Sequence, residues 1–421
     1  MADVFPTGCT EVDLLDAADV RPLLSRSILA DGLDLVLDLD RSRGSRLVDA
    51  RTGRSFLDMF TFFASSALGM NHPGLADDEQ FRAELIAAAL NKPSNSDVYS
   101  IPMARFVDTF ARVLGDPALP HLFFVDGGAL AVENALKVAF DWKSRLNESR
   151  GVDPALGTKV LHLRGAFHGR SGYTMSLTNT DPNKVARFPK FDWPRIDAPH
   201  VRPGFDDDAM AALEAESLRQ ARVAFEANPH DVACFIAEPI QGEGGVVLPP
   251  DGFWKGLREL TARENVLMAA DEIQAGLGRT GRTFASDHED VVPDLYVLGK
   301  ALGAGIVPVS AVVADRDVLG VLRPGQHGST FGGNALACAV GHEVVTMLAT
   351  GEYQARATEL GTLLRERLEA LVGHGVLAVR VRGLWAGVDI DPAVGTGREV
   401  CEALMARGVL AKDTHGSTIR L

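Results

Sequence analysis

Cysteine is scarce in this 421-residue sequence: Cys9, Cys234, Cys338 and Cys401 stand far apart, with no metal-ligand spacing. That argues against a disulfide-built scaffold or a metal site and fits a reducing compartment with free thiols. Positive charge is also short, since 42 lysines and arginines face 56 aspartates and glutamates for a formal net charge of −14. An acidic surface repels phosphate backbones, so a nucleic-acid partner is not expected, although a local pocket for a small anion remains open. No apolar run reaches the roughly 18–20 residues of a membrane span. The opening stretch Met1–Pro6 lacks the basic start and apolar core of a secretory signal. A cytoplasmic protein with no membrane partner is expected. Internal repeats and low-complexity tracts are missing as well.

What is present is an ordinary globular composition, 46% hydrophobic and 23% charged. The length allows two or three domains of about 100–200 residues, with enough chain to bury a large core. Residues 1–55 mix short polar helices with strand-like runs at Leu33–Leu39 and Arg46–Asp49. From about residue 60 the pattern changes. Short runs that are apolar almost throughout appear at Leu122–Val125, Val160–Leu163, Val232–Ala237, Val266–Ala270, Leu295–Leu298 and Val309–Ala314. Such runs predict strands buried on both faces. Between several of them lie helical patterns, clearest at Gly128–Leu146 and Asp208–Ala227. Strand and helix in alternation predict an α/β fold with a mostly parallel sheet. Two more helices, Leu336–Leu348 and Thr358–Leu371, lead into short strands that read as a smaller α+β domain.

Four places carry candidate chemistry. Phe124-Val125-Asp126-Gly127-Gly128-Ala129 is a strand, a glycine turn and a helix start. Free backbone N–H groups and the helix dipole favour an anion there, though the same sequence also serves as a plain turn. Asp271 closes the Val266–Ala270 run, at the strand end where ligands bind in open α/β sheets; capping a following helix is the bland alternative. Lys300 follows the Leu295–Leu298 strand among glycines and apolar residues. Desolvation there would lower its pKa and free a nucleophilic amine; otherwise the side chain snorkels to the surface. Gly328-Ser329-Thr330-Phe331-Gly332-Gly333-Asn334 offers hydroxyls and open N–H groups, or is a linker. With Phe167-His168-Gly169-Arg170 after another strand, these form one ordered constellation.

That constellation resembles the class III aminotransferases, pyridoxal-phosphate enzymes of fold type I, over about residues 20–421. The most specific motif is Ala270-Asp271-Glu272-Ile273-Gln274 followed downstream by Gly299-Lys300. The resemblance implies a cofactor, pyridoxal 5'-phosphate, held covalently by Lys300, with Asp271 on the pyridine nitrogen and Gln274 near the phenolic oxygen. Phe167 would stack on the ring beside His168. Gly128 and Ala129 would hold the phosphate by backbone N–H, with Ser329 and Thr330 reaching it, Thr330 from the neighbouring subunit of a homodimer. Phe63 and Arg170 would meet the substrate, Arg170 by a carboxylate. Glu243 and Arg420 would pair and part to switch between substrates. The implied domains are an arm with part of the small domain (1–60), a large cofactor-binding domain (61–330) and a C-terminal small domain (331–421).

Within the family the first half resembles L-lysine 6-aminotransferases, through Leu57–Phe62, Leu90–Asp97 and Phe188–Pro194. From about Val246 the chain resembles ornithine aminotransferases, through Arg382–Ile390 and Ala411–Ser417. Phe63 stands where ornithine enzymes carry a tyrosine. The implied reaction moves the terminal amine of L-lysine to 2-oxoglutarate. L-Ornithine is the alternative donor, and a fused or shortened chain that binds the cofactor without turnover is the alternative of another kind. The family runs on past the Arg420 position, so the last part of the small domain is expected to be missing and Arg420 to be frayed.

Overall fold

The computed structural model describes residues 15–91, 98–200 and 205–421. Near the N-terminus, β1 (Arg46–Val48) and β2 (Ser55–Asp58) form an antiparallel hairpin. The central sheet follows: β3 (His121–Val125), β4 (Lys159–Leu163), β5 (Arg195–Ile196), β6 (Val232–Ala237), β7 (Leu267–Asp271), β8 (Leu295–Leu298) and β9 (Ser310–Ala314). Its order is β3-β9-β8-β7-β6-β4-β5, and only β9 runs against its neighbours. The mostly parallel sheet expected from the apolar runs is therefore present.

Both faces of this sheet are covered, which is why its strands read as unbroken apolar runs. All six residues of β6 are buried. Phe235 joins one apolar cluster with Phe106, Phe110 and Trp254, while Cys234 and Ile236 point into the other with Ala135 and Leu136 of the helix Gly128–Ser149. The helix Ala335–Ala349 packs into the first cluster through Val340 and Val345.

The remaining strands are β10 (Val376–Val381), β11 (Ala386–Ile390), β12 (Val409–Leu410), β13 (Lys412–Thr414) and β14 (Thr418–Arg420). Four of them form a sheet in the order β10-β11-β14-β13. β12 instead pairs in parallel with β2, joining the N-terminal arm to the C-terminal region. The Leu33–Leu39 run is not a strand and gives only the isolated bridge between Leu37 and Asp49. Asp38 Oδ1 accepts the N–H groups of Asp40 and Arg41, a local turn that competes with strand pairing.

Candidate active site

Three consecutive strand ends bring the chemistry together. β7 ends on Asp271, which is buried, and β8 leads through Gly299 to Lys300. β6 leads to Glu238, also buried. Close backbone packing locks these ends to the glycine turn. A Cβ on Gly128 would stand 2.9 Å from Ile273 Cδ1, and one on Gly299 would stand 2.8 Å from Ser310 Oγ and 3.6 Å from Gly128 Cα. Only glycine permits that approach. Gly127, at φ 140°, turns the chain into a 22-residue helix whose first N–H groups have no partner within the helix.

Asp271 does not cap a helix. Its Oδ1 accepts the Ile273 N–H at 3.1 Å, and its Oδ2 lies 2.7 Å from His168 Nδ1. His168 is tied in turn by its N–H to Thr178 Oγ1 at 3.0 Å. Burial alone would lower the imidazole pKa, but the bond to Asp271 and the charges of Asp271 and Glu238 leave it raised. Lys300 sits at φ 43°, an uncommon conformation for a side-chain-bearing residue and one that marks functional strain. Burial lowers its pKa against the opposing pull of Asp271 and Glu238. The deprotonated amine is the form that attacks a carbonyl.

A cavity of about 950 Å³ opens beyond these strand ends. Lys300, Gln274, Phe167, Arg170, Glu243 and Arg420 all line it, as does Phe63. Phe63 belongs to a run of four left-handed residues, Thr61 to Ala64, with φ between 46° and 72°. Ser329 Oγ donates to Asp126 Oδ2 at 3.1 Å beside the glycine turn. Thr330 is exposed and is not among the cavity-lining residues. Of the expected lysine-type segment Leu90–Asp97, residues 92–97 lie outside the described residues.

One expectation is corrected. Arg420 is not frayed. It lies in β14 between Gly387 of β11 and Lys412 of β13, and Leu421 exchanges backbone hydrogen bonds with Ala386, so ladders on both sides hold it. Glu243 and Arg420 stand apart here, the parted arrangement of the expected switch. The Glu243 carboxylate is taken by Lys184, at the end of the short turn Pro182–Lys184. Arg420 instead stands 5.7 Å over the Phe63 ring, and its buried Nε has no partner.

Sequence reasoning missed Lys184 and Glu238. Glu238 Oε1 accepts the Phe167 N–H at 3.0 Å and Oε2 the Gly242 N–H at 2.9 Å, fixing the two loops that flank the cavity. Burial pushes its pKa up to about 7 against the influence of His168. The signal was available, because a carboxylate ending a wholly apolar strand is the reasoning that singled out Asp271. Lys184 has no such signal.

A family profile described as aminotransferase class-III matches residues 29–421. The chain belongs to the class III aminotransferases. It is 56% identical to the L-lysine-epsilon aminotransferase of Mycobacterium tuberculosis over 409 residues, 95% of this chain and 90% of that one. It is 36% identical to ornithine aminotransferase 2 of Staphylococcus aureus over 372 residues, 87% of this chain and 84% of the relative. The lysine-type match is thus not confined to the first half. Among solved structures, the lysine aminotransferase of M. tuberculosis in the internal aldimine form aligns with a TM-score of 0.92 and 55% identity, over 97% of this chain and 94% of that one. The enzyme is therefore pyridoxal-phosphate dependent. Its residues fit that cofactor: a helix start with free N–H groups after a glycine turn, a buried carboxylate, an aromatic ring and a desolvated amine. No helix among the described residues is long and apolar enough to cross a membrane.

Proposed function

We propose that this chain transfers the terminal amine of L-lysine to 2-oxoglutarate, giving 2-aminoadipate 6-semialdehyde and glutamate, as a cytoplasmic homodimer. The observation that carries the reading is the cavity itself, which the half-buried Lys300 lines together with the cations Arg170 and Arg420. Both the donor and the acceptor have carboxylates for such cations to bind. The higher identity to the lysine-type relative favours lysine over ornithine.

Pyridoxal phosphate, when bound, would supply an electron sink for the carbon that bears the amine. Lys300 would hold the cofactor covalently, and its Nζ would be the base that takes the proton from the amine-bearing carbon. The Asp271 carboxylate would keep the ring nitrogen protonated, since an anion nearby favours the charged form. Phe167 would stack on the ring; its own centroid lies 5.9 Å from the Arg170 guanidinium and 6.0 Å from Lys184 Nζ. Gln274, which lines the cavity, would orient the phenolic side of the ring. The Gly128 and Ala129 N–H groups would hold the phosphate, with Ser329 nearby and Thr330 reaching the site of a neighbouring copy. Exposure of Thr330 supports that last assignment.

The test is a single half-reaction: the holoenzyme is mixed with L-lysine or L-ornithine and the visible cofactor absorbance is followed. Bleaching at a higher second-order rate constant with lysine is expected. A clear preference for ornithine, or no bleaching with either, would overturn the reading.

A further inference from the structure

We propose that Lys184 is a specificity-determining residue, one that holds the Glu243 carboxylate away from Arg420 and so keeps the cavity open to a dicarboxylate. The inference rests on the reading that Arg420 receives a substrate carboxylate. Glu243 and Lys184 both line the cavity, and their side chains are 15% and 26% exposed. The loop under Glu243 is pinned. Thr414 Oγ1 donates to the Glu243 carbonyl at 2.7 Å, Gly242 packs so close to Gln274 that a Cβ would come within 2.5 Å of Oε1, and Arg380 donates to the Gly245 carbonyl at 2.9 Å. With the backbone fixed, the choice of partner is made by the Glu243 side chain.

Lys184 has reason to compete for that carboxylate. Burial, then the nearby charges of Arg170, Arg420 and Lys412, act against its positive charge, with Asp181 opposing them. An anion among these cations is stabilised by all of them. While Lys184 holds Glu243, neither Arg170 nor Arg420 has an ion-pair partner within 4.0 Å among the described residues. Two open guanidinium groups in one cavity suit two carboxylates. A basic amino acid brings only one carboxylate with its cationic end, so Arg420 must then be covered. Glu243 is the carboxylate able to do so, and Lys184 must release it. The energy of the Lys184 pair thus sets the balance between the two substrates.

The experiment uses glutarate, a dicarboxylate with no amine or keto group to react, and measures its Kd for the holoenzyme by calorimetry. Lys184→Met keeps the aliphatic stem and removes the charge. It should weaken glutarate binding about tenfold, the size of a coupling between neighbouring charges. In a Glu243→Ala background the same substitution should change Kd by less than about twofold, because no carboxylate is left to redirect. Lys184→Arg should restore most of the affinity. The ratio of the lysine to the glutamate half-reaction rate constants should rise in Lys184→Met. An equal loss in both backgrounds would mean that Lys184 binds the carboxylate itself and would overturn the proposal, as would no loss in the native background. The glutarate measurement stands even if lysine proves not to be the donor, so the two readings fail separately.

Discussion

His168 Nδ1 lies 2.7 Å from Asp271 Oδ2, with both side chains buried. The pair joins the loop after β4 to the end of β7, so it fixes the carboxylate and the Phe167 backbone in one arrangement. His168→Leu would leave Asp271 with the Ile273 N–H as its remaining hydrogen bond. Breaking a buried pair by removing one partner costs about 3–5 kcal/mol. Urea unfolding of the cofactor-free variant should show a loss of that order, and cofactor affinity should fall with it. A loss below about 1 kcal/mol, the range of exposed pairs, would show that the contact is not structural.

Glu238 gives the cofactor-free protein a pH dependence. Its folded-state pKa is about 7, above the ordinary 4.5, because burial disfavours the charge. A raised carboxylate contributes stability that is fully present below about 4.5 and is lost as pH climbs through the folded value. Glu272, also held at about 7 by burial, adds a second loss in the same window. Glu238→Gln should remove one of the two. Between pH 4.5 and 8 the parent should lose on the order of 3 kcal/mol more unfolding free energy than the variant. Parallel curves from denaturant titrations across that range would contradict the assignment.

The sequence carried the central sheet and the strand-end groups, because a strand covered on both faces must be apolar throughout and a polar residue at its end then stands out. Asp271 and Lys300 were legible for that reason. The partner of Glu243 was not. Which cation reaches that carboxylate depends on how the turn Pro182–Lys184 packs against a loop some sixty residues later, and local pattern has no information on that. The order at Arg420 was hidden likewise, since a three-residue strand has no period of its own and is defined only by the ladders on either side. The left-handed run from Thr61 to Ala64 contains no glycine or asparagine, the residues that usually announce such a conformation.

Lys300 is both attachment point and base in the proposed reaction, so Lys300→Ala removes two functions in one change. Turnover should fall by orders of magnitude. Mass spectrometry after borohydride reduction should find the cofactor fixed to the peptide containing Lys300 in the parent and to none in the variant. Turnover near the parent level would exclude the role. Asp271→Asn serves as the contrasting variant. Covalent attachment should persist, while cofactor binding weakens by about 1.5–3 kcal/mol, the value of a hydrogen bond to a charged group.

Phe63 is the position from which donor selectivity should be adjustable. Its ring packs edge-on against Phe60 at 5.3 Å between centroids, stands 5.7 Å from the Arg420 guanidinium, and is 43% exposed. A hydroxyl added by Phe63→Tyr therefore has room at the cavity and does not have to be buried in the core. Lysine and ornithine differ by one methylene, worth about 1–3 kcal/mol in an apolar pocket, whereas a site that hydrogen-bonds one substrate discriminates more strongly. A phenolic hydroxyl at this position offers a partner to the α-amino group of the shorter donor, which sits deeper when its terminal amine reaches Lys300. The variant should raise the second-order rate constant for ornithine relative to lysine by about tenfold in the half-reaction, corresponding to about 1.4 kcal/mol. If the ratio stays at the parent value, selectivity is set elsewhere, and the β13–β14 hairpin that carries Lys412 and Arg420 is the place to substitute next.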